Sequence, residues 1–167
     1  AKAAALKTRI QQALPHTAVE AFPMRWQDLV PEADVFAGDL IVSAIGAWAA
    51  EGALNAEHLA AGGARPVVYG WMEAHACAGH AVVIGPGGGC LQCGLDAHGR
   101  ARLPVTAWPE NGAVFQEPAC GAVFQPYGAV ELTNTVSLVA GLALEVLLGE
   151  AKPGTHRVWV GPERRLR

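Results

Sequence analysis

The chain has 167 residues, of which 51% are hydrophobic and 16% are charged, and its formal net charge is −3 at pH 7. This length corresponds to one domain or part of one, and the composition is apolar enough to bury a sizeable core. The weakly acidic balance argues against a nucleic-acid-binding surface, which requires clustered Lys and Arg.

The N-terminal part of the chain predicts a helix, a short strand and a helical turn. Apolar residues repeat at helical spacing over residues 2–14, and Pro15 ends the pattern. Hydrophobic and polar residues alternate over 17–22, which predicts a strand. Residues 25–30 predict a single turn of helix.

The middle of the chain alternates between strand and helix patterns. A continuous apolar run over 39–45 is typical of a parallel strand that is buried on both faces. A helix is predicted over 47–61, where two glycines end it, and further buried strands are predicted over 65–70 and 79–84. This alternation predicts a layered α/β domain.

A long irregular segment and an apolar helix follow. Residues 85–126 are rich in Gly and Pro, and loops of this length inside a domain usually carry function. Residues 128–149 predict a long helix, and 155–160 predict a last strand. The uncharged part of the helix, 132–144, is too short to cross a bilayer. We therefore expect a buried helix and no membrane partner.

The chain contains four cysteines, and their spacing argues for a reducing compartment. Positions 77, 90, 93 and 120 lack the even pattern of disulfide-rich secreted scaffolds. The N-terminus predicts a helix rich in Ala and Lys rather than an apolar signal peptide. We therefore expect a cytoplasmic protein whose thiols bind a metal or act in catalysis.

Cys90 and Cys93 form a CxxC motif directly after a glycine-rich loop. Such a pair can supply two ligands to tetrahedral zinc, which takes four ligands in structural sites. The other ligands could be neighbours in sequence or residues elsewhere, or the motif could be vestigial. The neighbouring candidates are Cys77, His75, His80 and His98. A redox pair is disfavoured, because thioredoxin-type motifs begin a helix whereas this motif follows a loop.

Cys120 precedes the helix predicted over 128–149 and lies between Gly and Pro residues. The positive end of a helix dipole favours thiolate, so Cys120 is a candidate nucleophile. The alternative is an inert thiol in an apolar environment, since free cysteines are commonly buried. In the same segment, Trp108 is a candidate to hold the loop over a bound protein tail.

Several of these segments, taken in order, match one known family. The matching segments are Lys2-Ala3, Asp39-Leu40-Ile41-Val42-Ser43-Ala44, Leu54-Asn55, Cys90-Leu91-Gln92-Cys93, Ala119-Cys120-Gly121-Ala122-Val123 and Leu144-Glu145-Val146-Leu147-Leu148-Gly149. Together they resemble the C-terminal half of the ThiF/MoeB/HesA-type adenylyltransferases, the fold of ubiquitin-activating enzymes. Each motif alone is short, and the specificity lies in their order and spacing.

The resemblance implies the C-terminal part of a Rossmann-like adenylyltransferase fold, with a mixed sheet, flanking helices and a long crossover loop. It implies that ATP and Mg²⁺ adenylate the C-terminal glycine of a ubiquitin-like or sulfur-carrier protein, and that a cysteine then forms a thioester. By position, Cys120 is implied as that cysteine and Lys2 as a cation for the nucleotide. Cys90 and Cys93 are implied as half of a structural zinc site, and the family implies a homodimer or heterodimer.

Three departures from the family pattern accompany this resemblance. The nucleotide-binding Gly-x-Gly-x-x-Gly loop has no counterpart, so we expect residues 1–167 to be a single partial domain. Gly46 stands where most members carry a metal-proximal Asp, as in the bacterial branch found beside ubiquitin-conjugating-like domains. The second CxxC of the zinc site has no counterpart either. These departures favour an inactive scaffold or heterodimer partner as the alternative, whereas Cys120 favours the enzyme.

Overall fold

The computed structural model describes residues 2–30, 34–108 and 127–161, together with the backbone of two short strands at 115–116 and 123–124. The chain divides into two compact units, Ala1–Ala37 and Gly38–Arg167. The second unit holds every strand that the structure describes.

The first unit contains helices α1 (Lys2–Ala13) and α2 (Trp26–Leu29). Both confirm the helices predicted there, and the first ends just before Pro15, as expected. The strand predicted over 17–22 is wrong, because these residues belong to no ladder. An alternating pattern becomes a strand only when a second strand satisfies its backbone groups, and the described part of this unit offers none.

The second unit is built on an open, mixed sheet of four strands. In chain order, and counting a separate two-stranded ribbon, the strands are β1 (Ile41–Ser43), β2 (Val67–Met72), β3 (Ala78–Ile84), β4 (Phe115–Gln116), β5 (Val123–Phe124) and β6 (His156–Val160). The sheet order is β1–β2–β3–β6, in which β1 runs parallel to β2 and the other neighbours are antiparallel. β4 and β5 form the ribbon. The predicted α/β class is confirmed.

In the described residues of this unit, three α-helices accompany the sheet: α3 (Trp48–Ala60), α4 (Leu91–Gly94) and α5 (Ala129–Leu147). The end of α3 confirms the predicted glycine stop, because Gly62 and Gly63 have φ angles of +86° and +60°. Helix α4 lies inside the segment predicted to lack regular structure. A single turn is too short for hydrophobic periodicity to reveal it.

Helix α5 packs very closely against one face of the sheet, at two glycines. A Cβ atom on Gly70 would clash with Val139, and one on Gly79 would lie 2.9 Å from the Cβ of Thr135. The absence of side chains at these points lets the helix backbone approach the strands. The core beneath it consists of Val68, Ala81, Val83, Leu142 and Ala151, with Leu40, Leu138, Val139 and Val146 packed against it.

Helix α5 is only partly covered, which corrects the expectation of a buried helix. Thr135 and Leu142 are its buried residues, whereas Val130, Val136 and Leu144 are more than half exposed. The reason is geometric: the sheet contacts one stripe of the helix and leaves the others open. By length and composition alone α5 also qualifies as a membrane span, a test that core helices pass as well.

Helix α3 lies on the opposite face of the sheet. Successive side chains of a strand point to opposite faces, so Tyr69 points away from the α5 side, where Gly70 lies. Ser43 is the register partner of Tyr69, and its hydroxyl donates a hydrogen bond of 3.3 Å to Glu51 of α3. The expectation that β1 is buried on both faces is wrong, because Val42, on the α5 side, is 48% exposed.

The close approach of α5 predicts a contrast between two glycine substitutions. Gly79→Ala should lower the free energy of unfolding by about 1 to 3 kcal/mol, because the added methyl group overpacks the contact with Thr135. Gly141→Ala should raise it by about 0.5 to 1 kcal/mol, since Gly141 is an exposed helical residue with open space around it. Urea unfolding of both variants measures this difference. Equal stabilities would contradict the packing.

Candidate functional site

The CxxC motif forms a tight turn that brings two thiols into contact. The Sγ atoms of Cys90 and Cys93 are 3.3 Å apart, and the backbone N–H of Cys93 donates a 3.0 Å hydrogen bond to the carbonyl of Cys90. Cys93 is exposed and Cys90 is half-buried. Cys90 immediately precedes α4, so the motif begins a helical turn. This corrects the prediction that the motif, unlike thioredoxin-type motifs, does not begin a helix.

The thiol turn, residues 88–94, is anchored at two points. The backbone N–H of Leu91 donates a 3.0 Å hydrogen bond to Oδ1 of Asn55 on α3, and Asn55 is only 1% exposed. Gly88 lies against the backbone of Pro153 and Gly154, leaving no space for a side chain. The turn is thereby tied both to α3 and to the segment that leads into β6.

The surroundings of Cys93 favour its ionised form. Hydrogen bonds from the backbone and the thiol of Cys90, together with the positive charge of Arg102, hold the pKa of Cys93 below its ordinary value against a small opposing effect of burial. An exposed thiol with a lowered pKa reacts faster with electrophiles at neutral pH than a buried thiol. Cys77, which is only 3% exposed, is such a buried thiol, so we expect it to react more slowly than Cys93.

The described residues do not complete a closed zinc site around Cys90 and Cys93. Among residues 2–30, 34–108 and 127–161, no group of three or more His, Cys, Asp or Glu is placed to hold a metal ion. Of the sequence candidates, His80 is bound to Glu73 and His156, and Cys77 lies 3.9 Å from the carbonyl of His75. Two thiols are half of the ligand set that structural zinc takes.

The segment after the thiol turn is more ordered than its composition predicts. The side chain of Asp96 accepts hydrogen bonds from the backbone N–H groups of His98 and Arg100 and so closes a turn. Trp48, at the start of α3, donates from its indole to the carbonyl of Ala97. A cleft of about 420 Å³ lies between α3 and this turn, and Gln92 of the motif forms part of its wall.

A buried carboxylate and two histidines form a second polar cluster, on the α3 face of the sheet. Nε2 of His80 donates to Glu73 over 2.9 Å, and Nδ1 of His80 lies 3.1 Å from Nε2 of His156. The side chains of His80 and Glu73 are 2% and 7% exposed. The ring of Trp71 stacks on that of His80, with centroids 4.8 Å apart. Sequence reasoning missed this cluster.

Glu73 also holds the loop at residues 105–106 in place. Its carboxylate accepts from the backbone N–H groups of Val105 and Thr106, each over 2.8 Å, and from the hydroxyl of Thr106. Burial raises the pKa of Glu73, but these hydrogen bonds and the one from His80 outweigh it and hold the pKa below its ordinary value. Trp108 then donates to Thr106 and lies against the ring of His75.

The turn between β2 and β3 has an uncommon backbone conformation beside this cluster. His75 and Ala76 have φ angles of +58° and +51°, a region that non-glycine residues rarely adopt. The turn is closed by a 2.9 Å hydrogen bond from Glu73 N–H to the carbonyl of Ala78. The geometry places Glu73 at the point where β2 ends and the loop over 105–108 returns.

An apolar groove of about 1020 Å³ opens at the carboxyl ends of the parallel strands β1 and β2. One wall is the exposed stripe of α5, and the other combines residues of β1 and β2, such as Val42 and Met72, with residues that follow these strands, including Gly46 and Glu73. In open α/β sheets, ligands commonly bind beyond the carboxyl ends of strands. Gly46 has a φ angle of +71°, and a Cβ there would have no neighbour within 4 Å.

The remaining sequence candidates lie apart from these clusters or outside the described residues. Lys2 is exposed at the start of α1, in the first unit. Cys120, the candidate nucleophile, lies outside the described residues. The structure therefore brings together Cys90 and Cys93, and separately Glu73, His80 and His156. A signal for the second cluster existed in the sequence, since His80 falls within a strand that was predicted as buried and His156 within the predicted last strand.

Comparisons with known proteins do not identify a family for the chain. No family model matches the sequence, and no curated protein matches it either.

The anchor of the thiol turn predicts a specific loss of stability. Asn55→Ala should lower the free energy of unfolding by about 1 to 3 kcal/mol, because it leaves the N–H of Leu91 without its acceptor. Glu57→Ala, on the exposed side of the same helix, is the matched control and should change stability by less than about 0.5 kcal/mol. Urea unfolding monitored by circular dichroism compares the two. Equal effects would contradict the anchor.

The histidine pair predicts a pH dependence of stability. Burial, and then the electrostatic effect of the neighbouring His80, lowers the pKa of His156 below its ordinary value, so the unfolded chain binds its proton more readily than the folded one. This contribution is fully present above the unfolded pKa and is lost as pH falls through the folded pKa. Melting temperatures at about pH 7 and about pH 5 should differ less for His156→Gln than for the natural chain. Exposed His16→Gln is the control, and an unchanged pH dependence in His156→Gln would contradict the assignment.

Proposed function

We propose that the chain is part of an activating enzyme for a ubiquitin-like or sulfur-carrier protein. In this proposal the mixed sheet is the C-terminal part of a Rossmann-like adenylyltransferase fold, which works as a homodimer or heterodimer. ATP and Mg²⁺ are bound with the help of a nucleotide-binding segment or subunit. Lys2 as a phosphate contact remains a prediction from the resemblance.

The observation that carries the proposal is the hydrogen bond between Asn55 and Leu91. The Leu54-Asn55 pair and the CxxC motif are two separate elements of the family resemblance, 36 residues apart. Their meeting in one buried contact gives a physical reason for both to occur in one chain. Leu54 is 6% exposed and packs in the core, which holds α3 in the position that Asn55 requires.

The groove beyond β1 and β2 supports a place for the carrier's C-terminal tail. Its lining is largely apolar, and the open space at Gly46 lies where the first of the parallel strands ends. A glycine-rich tail has few side chains, so its backbone could lie close to the ends of the strands. The loop at 105–108, held by Glu73, borders the same end of the sheet.

The proposed reaction has two steps, and the candidate nucleophile of this chain acts in the second. In the first, the carrier's terminal carboxylate attacks the α-phosphorus of ATP, forming the acyl-adenylate and releasing pyrophosphate. In the second, the thiolate of Cys120 attacks the acyl carbon, the thioester forms, and AMP leaves. No step is assigned to zinc, because the described residues supply half of a closed site.

Gly46 favours a second candidate function, that of a catalytically inactive scaffold or heterodimer partner. Most members of the family that the sequence resembles carry a metal-proximal Asp at this position, and a glycine offers no carboxylate to Mg²⁺. The positive φ angle of Gly46 disfavours other residues there, so the backbone itself is adapted to glycine. A scaffold of this kind would bind the carrier without exchanging pyrophosphate.

The complete enzyme, assembled with its nucleotide-binding segment or subunit, tests both candidates. With a carrier that ends in glycine, Cys120→Ala should keep ATP–pyrophosphate exchange within about twofold and abolish a thiol-sensitive carrier adduct. Cys77→Ala is the control and should keep both activities, because Cys77 is buried. An adduct that persists in Cys120→Ala would overturn the nucleophile. Carrier binding without exchange would favour the scaffold instead.

A further inference from the structure

The two thiols of the CxxC turn lie close enough to each other for a disulfide bond to form between them. The two Sγ atoms are in contact at 3.3 Å, and a disulfide bond of about 2.05 Å requires them to approach by roughly 1.3 Å. That movement is within the reach of side-chain rotation. Two thiolates bound to tetrahedral zinc would stand farther apart, at roughly 3.8 Å, because each Zn–S bond is about 2.3 Å long.

The backbone of the turn is fixed before any bond forms. The contact of Gly88 with Pro153 and Gly154 holds one side, and the hydrogen bond from Leu91 to Asn55 holds the other. Groups held in contact react with each other far more readily than with a partner in solution. The fixed turn therefore favours a bond between Cys90 and Cys93 over a lasting bond to an external thiol.

We propose that Cys90 and Cys93 form a redox pair that exchanges reversibly with small disulfides of the glutathione class. The contact of the two Sγ atoms at 3.3 Å, closer than two zinc-bound thiolates would stand, leads to this assignment. Cys93 is the attacking residue, because it is exposed, and Cys90 is the resolving residue beside it. This role is separate from the proposed activating function and does not depend on it.

The exchange balances in two steps. The thiolate of Cys93 attacks one sulfur of glutathione disulfide, an S–S bond forms between Cys93 and glutathione, and the first glutathione leaves as a thiolate. Cys90 then loses its proton and attacks the sulfur of Cys93, the intramolecular disulfide forms, and the second glutathione leaves. Two protein thiols are oxidised and one glutathione disulfide is reduced to two glutathione molecules.

The test uses the complete chain with Cys77→Ala, so that Cys90 and Cys93 are the two thiols in one tryptic peptide. Trypsin cuts after Arg25 and Arg100 but resists the Arg65-Pro66 bond, and so releases residues 26–100. The protein is equilibrated with mixtures of reduced and oxidised glutathione, quenched in acid, alkylated and analysed by mass spectrometry. The pair should lose two hydrogens as glutathione disulfide increases and regain them in excess reduced glutathione.

Two further variants identify the attacking thiol. Cys90→Ser should accumulate a stable glutathione adduct on Cys93, because the resolving thiol in contact with it is gone. Cys93→Ser should form its adduct at Cys90 at least about tenfold more slowly, since the attacking thiol is gone. Equal rates in the two variants would overturn the order of attack.

Two results would overturn the redox pair itself. The first is lasting glutathionylation of both cysteines in the natural chain without an internal disulfide. The second is a zinc ion bound one per chain, after zinc chloride is added, that protects both thiols from glutathione disulfide. Neither result bears on pyrophosphate exchange or on the carrier adduct, so the redox pair and the activating function fail separately.

Discussion

The close approach of α5 to the sheet, at Gly70 and Gly79, is the contact on which the rest of the second unit depends. A side chain at either position would push the helix away from the strands. Because the helix lies so near, a small set of aliphatic side chains suffices to fill the core between them. The same geometry leaves the outer stripe of α5 open beside the ends of β1 and β2, and this stripe forms one wall of the groove.

The two faces of the sheet serve different purposes. The α5 face is apolar and supplies most of the core, whereas the opposite face carries the polar contacts that hold loops. There Glu73 fastens the loop at 105–106, and Asn55 fastens the thiol turn. Both are buried polar side chains that accept hydrogen bonds from backbone N–H groups, an arrangement that fixes loop position without adding apolar surface. The candidate sites are thus loops attached to one rigid sheet.

Sequence patterns predicted the regular elements well and the site geometry poorly. Helices α3 and α5 and strands β2, β3 and β6 follow from periodicity and glycine stops, because local patterns dictate them. The prediction of a strand at 17–22 was wrong, because a strand forms only where a second strand pairs with it, and a local pattern does not show whether such a partner exists. The contact of Asn55 with Leu91 and that of Glu73 with His80 join residues distant in sequence or in facing strands, so no local pattern encodes them. Cys120 remains a prediction from sequence alone.

Protection of the Leu91 amide from hydrogen exchange tests the central claim most directly, namely that Asn55 positions the thiol turn. The account predicts that the amide of Leu91 exchanges as slowly as the amides of β3, because its hydrogen bond is buried and tied to α3. The amide of exposed Gln92 provides the internal comparison, one residue along the same turn. Exchange at Leu91 as fast as in an unstructured peptide, with β3 still protected, would contradict the account.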